Sequence, residues 1–278
     1  MNGLHELPLI IFTVLAQSTV GAWLLFSWAL YRNNSAQSKQ YLHKVMFILL
    51  ALLGLGFIAS ILHLGSPLRA FNSLNRIGSS MLSNEIASGA VFFGAAGIYW
   101  LLGITGKITE ALAKVWLALT AVLGLVFMYM MNNVYHINTV PTWDSLLTSL
   151  QFYLTLVIGG SALAYGLLNA NPHKTYKLCH VAYCYLVGLF LAVIVVIYQG
   201  VGLAHIHSSV QQAVNLVPDF ANLQALRFTL LALGAIVLCK LPKNWLLGVA
   251  ALAVLFAEMI GRLIFYGLHM TVGMAVAG

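Results

Sequence analysis

From Val45 to Leu62 the sequence reads VMFILLALLGLGFIASIL, eighteen consecutive residues without a charge. At a rise of about 1.5 Å per residue, a helix of that length crosses most of a hydrocarbon core about 30 Å thick. Inside lipid every backbone N–H and C=O must be satisfied within the protein, and a continuous apolar run achieves this as a helix. The pattern recurs: apolar segments fall at about 8–30, 43–63, 84–104, 115–135, 147–168, 179–200, 222–239 and 246–266. The seventh is the weakest, because it opens with ANLQALR. Only 7% of the 278 residues are charged, against about 25% in a soluble domain. Mean hydropathy is +0.93. The expected fold is all-α: a polytopic membrane protein built as one bundle of eight transmembrane helices. MNGLHELP lacks a basic leader region, so the first run reads as a retained helix.

Charge placement gives the expected topology. Lys and Arg number 13 against six Asp and Glu, a net charge of +7. The bases stand singly or in pairs, with no basic tract of the kind that binds nucleic acid. The links 31–44, 105–114, 169–178 and 240–245 hold Arg32, Lys39, Lys44, Lys107, Lys114, Lys174, Lys177, Lys240 and Lys243. The alternate links hold only Arg69 and Arg76, while Arg227 and Arg262 lie in helix ends. Cytoplasmic links carry the excess of bases, so both termini are expected on the opposite side. Long outer loops at 64–83 and 201–221 follow the second and sixth helices. Their matched positions suggest two halves of four helices each.

Several polar residues interrupt the apolar pattern. His63 closes the second helix before Gly65-Ser66-Pro67. It reads equally as an interfacial anchor or as a proton acceptor at neutral pH. Glu85 opens the third helix, with Ser83 and Asn84 as candidate caps; it is either a helix-start acid favoured by the dipole or a proton-accepting carboxylate facing His63. Arg69 and Arg76 break the charge rule, which points to loop fixing, lipid headgroups or partner docking. Glu258 and Arg262 are spaced i,i+4, an expected intrahelical ion pair with Tyr266 nearby; a site wall or proton route is the bolder reading. Gln17, Tyr198 and Gln199 are intramembrane polar groups suited to bonding neighbouring helices.

The 201–221 loop carries His205, His207, Gln211, Gln212 and Asp219. Its HxH is a weak metal signal, and a partner-packing segment is the plainer reading. His63, His136 and His180 lack clear mid-helix partners of the sort that ligate b-type haem. Cys179, Cys184 and Cys239 form no CxxC pair, so no disulfide framework or bound metal is expected. The residues alone admit a redox anchor or a secondary transporter with its outer loops as gates.

Four longer strings carry a resemblance: GFIASILHLGSPLRAFNSLNRIGSSMLSNEIASG at 56–89, NTVPTW at 138–143, AHIHSSVQQAVNLVPD at 204–219 and EMIGRLIFYGLHMTVGMAVA at 258–277. Through them nearly the whole chain resembles the DmsC family, the membrane anchor subunits of bacterial anaerobic dimethyl sulfoxide reductases. The resemblance implies an inner-membrane, menaquinol-oxidising anchor without haem. Its implied partners form a heterotrimer with it: a four-cluster iron–sulfur subunit and a catalytic subunit carrying molybdopterin guanine dinucleotide. It places the quinol-site histidine on His63 and the important acid on Glu85, near the periplasmic face. Arg69 and Arg76 become candidates for fixing the loop or contacting menaquinol. A purely structural anchor of a related molybdenum reductase is the remaining alternative.

Overall fold

The computed structural model describes residues 2–33, 35–63, 72, 74–207 and 212–271. Arg69 and Gln211 lie outside the described residues. A short 3-10 helix, Asn2–Glu6, leads into eight α-helices: α1 (Leu7–Arg32), α2 (Ala36–His63), α3 (Met81–Ile104), α4 (Glu110–Val134), α5 (Leu146–Asn169), α6 (Cys179–Leu203), α7 (Phe220–Lys240) and α8 (Asn244–Gly267). All eight are long and apolar enough to cross a membrane.

The main departure from the expected boundaries is α2, which begins at Ala36, well before His43. Its first turns, AQSKQYL, are polar, so hydropathy alone starts the span too late. Side-chain hydrogen bonds anchor them: Ser38 Oγ accepts from Asn171 Nδ2 at 2.7 Å and from Asn33 Nδ2. Thr175 Oγ1 donates to Asn33 Oδ1 at 2.9 Å. This hub ties the α1–α2 turn to the α5–α6 turn at the lysine-rich end.

Helices α1 to α4 close one ring of neighbours, α1·α2, α2·α3, α3·α4 and α1·α4. Helices α5 to α8 close a second in the same order, and α1 lies along α5 between the rings. That seam is built from small residues. A Cβ on Gly160 would stand 2.6 Å from Cα of Gly21, and Ser18 Oγ fills the space beside Gly159. In lipid, where apolar side chains gain little from mutual burial, close backbone approach supplies the packing that holds helices together. Helices α1, α5 and α8 are therefore the most enclosed, while α2, α3, α4, α6 and α7 present broad apolar faces outward.

The expected Glu258–Arg262 pair does not form. Glu258 instead binds Arg227 of α7, whose Nη2 lies 3.2 Å from both carboxylate oxygens, and accepts 2.6 Å from Thr155 Oγ1 of α5. Arg262 Nη2 donates to Gln17 Oε1 of α1 at 2.8 Å, and its guanidinium lies 3.7 Å above the Phe152 ring. Tyr266 bonds elsewhere, to Tyr135. Partners on neighbouring helices satisfy both charges better than the next turn of α8 could. Glu258→Gln should strand the Arg227 charge and destabilise the detergent-solubilised protein by about 3–5 kcal/mol, whereas Glu258→Met with Arg227→Met should recover most of that loss. Thermal unfolding of the two variants beside the wild type checks this; equal losses in the single and the double variant would rule it out.

Candidate functional site

At the end of the bundle opposite the lysines, a cavity of about 370 Å³ opens between α1, α3, the end of α4 and the end of α8. Sites for small organic ligands run from about 300 to 1,000 Å³. Apolar walls come from Leu9, Phe12, Leu82, Ile86, Val134 and Trp143; the polar groups are Glu6, Ser60 from α2, Glu85, Tyr135, Tyr266 and His269. Phe12 forms part of an aromatic layer with Phe57 and Phe127, at centroid distances of 5.7 and 6.4 Å.

Each polar group is placed by its own element. Gly78, at φ +87°, turns the chain just before α3, in the left-handed region that favours glycine. Its N–H donates to Asn84 Oδ1 at 2.7 Å. Asn84 therefore braces the turn from inside the helix and does not cap it. Because α3 starts at Met81, Glu85 lies beyond the first turn, and the helix dipole no longer accounts for an acid there. Glu85 is 3% exposed, and its Oε1 has no hydrogen-bond partner among the described residues. Leaving a buried polar atom unpaired costs about 1–3 kcal/mol, so this oxygen, on a residue of the cavity wall, suits a hydrogen-bonding ligand.

Across the cavity, the hydroxyls of Tyr135 and Tyr266 lie 2.5 Å apart. Trp143 closes one side, donating Nε1–H to Phe265 O at 2.9 Å and packing 4.7 Å from the His269 ring. The arrangement presents acceptors and hydroxyls around an apolar slot. It can hold a flat ring bearing two oxygens and take protons from it.

His63 stands just outside this wall. One turn of α2 earlier, Ser60 lines the cavity, while His63 Nε2 lies 3.3 Å from Glu6 Oε2. The structure thus places Glu85 on the cavity wall and His63 behind it, in contact with the wall residue Glu6. Arg76 is exposed in the turn before α3 and is absent from the cavity wall.

Other candidate histidines are engaged elsewhere. His136 contacts Asp144 Oδ1 at 3.3 Å and Ser149 Oγ at 2.7 Å. His205 Nδ1 contacts Val201 O at 2.9 Å, and His180 packs its ring beside Trp28. Among the described residues, no group of three or more His, Cys, Asp and Glu side chains is arranged to hold a metal ion.

Sequence reasoning missed Glu6, Tyr135, Trp143, Tyr266 and His269 as cavity residues. Only Glu6 left a usable signal: it is one of six acids in the chain, two residues before Pro8 at the start of a span.

Eight helices long and apolar enough to span define a multi-pass helical membrane protein, with a candidate ligand cavity at one end of the bundle. Residues 1–268 match the family model described as DMSO reductase anchor subunit (DmsC). The sequence is 54% identical over 277 residues to the C subunit of the anaerobic dimethyl sulfoxide reductase of Haemophilus influenzae, covering 100% of this protein and 99% of that one. Two relatives from Escherichia coli K12, the anaerobic dimethyl sulfoxide reductase subunit YnfH and the C subunit of anaerobic dimethyl sulfoxide reductase, are 48% and 47% identical; each alignment covers at least 99% of both sequences. The chain belongs to the DmsC family of dimethyl sulfoxide reductase anchor subunits.

Proposed function

We propose that this chain is the menaquinol-oxidising anchor of a dimethyl sulfoxide reductase complex in the bacterial inner membrane. The whole chain, 1–278, acts as one integral membrane unit with both termini on the periplasmic side. It holds a four-cluster iron–sulfur subunit and a molybdopterin-bearing catalytic subunit at the membrane. Menaquinol enters the cavity from the lipid, between α2 and α3. Electrons leave for the nearest iron–sulfur centre of the partner, and protons leave to the carboxylates and His63.

The observation that carries this reading is the buried, unpartnered Glu85 Oε1 in a slot with apolar walls. A quinol supplies what the slot lacks: an apolar ring, and a hydroxyl to donate to that oxygen. A proton acceptor must lie within hydrogen-bond reach of the proton it takes, and Glu85 shares the cavity wall with Ile86 and Tyr135, against which the ring would sit. Arg69 and Arg76 belong to the connecting loop and serve to fix it or to dock the partner.

The test is to fill the slot. In the assembled three-subunit complex, Ile86→Trp should abolish saturable binding of a short-tailed menaquinone and menaquinol-driven dimethyl sulfoxide reduction. The rate driven by reduced viologen, which bypasses the site, should stay normal. Undiminished menaquinol turnover in Ile86→Trp would place the quinol site elsewhere. A secondary transporter predicts solute flux by the chain alone; a purely structural anchor predicts full menaquinol turnover in His63→Arg.

A further inference from the structure

We infer that Glu6 takes the first proton on the His63 side of the cavity, and that His63 acts behind it, drawing that proton on to water. The inference rests on the menaquinol reading above and assigns a proton-accepting residue that the sequence did not suggest.

Three observations carry it. Glu6 lines the cavity and His63 does not, while Glu6 Oε2 lies 3.3 Å from His63 Nε2. A proton from a ring in the slot therefore meets the carboxylate before the imidazole. The side chains of His63 and Glu6 are 35% and 36% exposed, so the pair reaches from the cavity to the surface of the chain. Glu85, at 3% exposure, has no such opening. The site thus has two carboxylates for the two quinol protons, one with an outlet at the surface of the chain and one without.

The fold holds Glu6 in this place. The Asn2–Glu6 3-10 helix packs on α8, and a Cβ on Gly3 would stand 2.6 Å from the Leu263 carbonyl oxygen. Only a residue without a side chain allows that approach. Leu7 opens α1 directly after Glu6, and Pro8, with its fixed φ, suits the first turn.

The titratable groups that face Glu6 around the cavity are His63 from α2, Glu85 from α3, Tyr135 at the end of α4, and Tyr266 and His269 from the end of α8. His5 lies on its own element, and α1 contributes only Leu9 and Phe12 to the wall. Among the described residues His63 is the one ionic partner of Glu6.

In the first transfer, one quinol O–H bond breaks and its proton forms an O–H bond on Glu6. The Glu6–His63 contact delivers a proton to Nε2, and the Nδ1 proton leaves to water. The second quinol proton goes to Glu85, and the two electrons pass one at a time to the partner's iron–sulfur centre.

The test uses the assembled complex with a short-tailed menaquinol. Glu6→Gln should lower kcat about 100-fold, the usual worth of a positioned general base, with menaquinone binding and the viologen-driven rate unchanged. His63→Gln should do the same, and the double variant should be slower than Glu6→Gln by no more than about 3-fold, because the two residues act as one unit. Glu6→Asp, which keeps the acid and is the variant to read if Glu6→Gln does not assemble, should turn over at a rate between those of Glu6→Gln and the wild type.

A wild-type rate in Glu6→Gln, or in Glu6→Asp if that is the variant read, with the rate lost in His63→Gln, would overturn the inference and leave His63 as the direct acceptor. If Glu85→Gln and Ile86→Trp also turned over normally, the menaquinol reading itself would fail.

Discussion

Glu85→Gln in the assembled complex should reduce menaquinol-driven turnover by about 100-fold or more, as expected for loss of a positioned proton acceptor. Gln matches Glu in shape, so the slot keeps its volume and the wall of Ile86, Tyr135 and Tyr266 stays in place. What changes is the chemistry of one buried atom. The carboxylate Oε1 has no partner among the described residues, so it is free to receive that proton. An amide can hydrogen-bond the ring but cannot take its proton. Menaquinone should therefore still bind with near-normal affinity while kcat collapses, the pattern of an interaction needed in the transition state and not for ground-state binding. The viologen-driven rate separates this from disrupted assembly. An equal drop with both donors would mean that Glu85 is structural.

The second large effect lies away from the site. Gly160→Val should prevent accumulation of the folded anchor. Its first side-chain carbon would meet the Gly21 backbone at 2.6 Å. Backbone cannot yield as a flexible side chain does, so α1 and α5 would have to separate. That seam joins the two four-helix rings, and in lipid no hydrophobic gain replaces lost close packing. Membrane fractions should show little Gly160→Val protein, and both menaquinol-driven and viologen-driven membrane activity should be lost. Gly94→Val, at a position with nothing within 4 Å of an added Cβ, should accumulate normally. Wild-type levels of the Gly160 variant would show that the seam is looser than its geometry.

The spans were legible because their signal is local. Val45 to Leu62 announces a helix without reference to any other residue. Where the signal fails, as over AQSKQYL, the missing information is long-range: Ser38 is held in α2 by Asn171, 133 positions away in the chain. The site was half legible. His63 and Glu85 stood out as polar residues flanking one loop, but the cavity beside them takes part of its wall from Trp143 and Tyr266, in distant parts of the chain. Glu6 stood out only as one of six acids, because nothing in MNGLHELP shows what anchors it until Gly3 is seen against the backbone of α8. The Glu258–Arg262 expectation failed for the same reason. Spacing on one helix shows which side chains can meet, and only the neighbouring helices show which of them do.

The sequence by itself determined that the chain crosses a membrane, how many helices it uses and where its bases collect. Those follow from segment hydropathy and from the need to satisfy each backbone inside its own helix. The tertiary structure decided what each buried charge pairs with and which atoms share the cavity. Such choices depend on contacts between helices far apart in the chain, and they are set by the small-residue seam of Gly21 and Gly160 that fixes how closely the two rings approach.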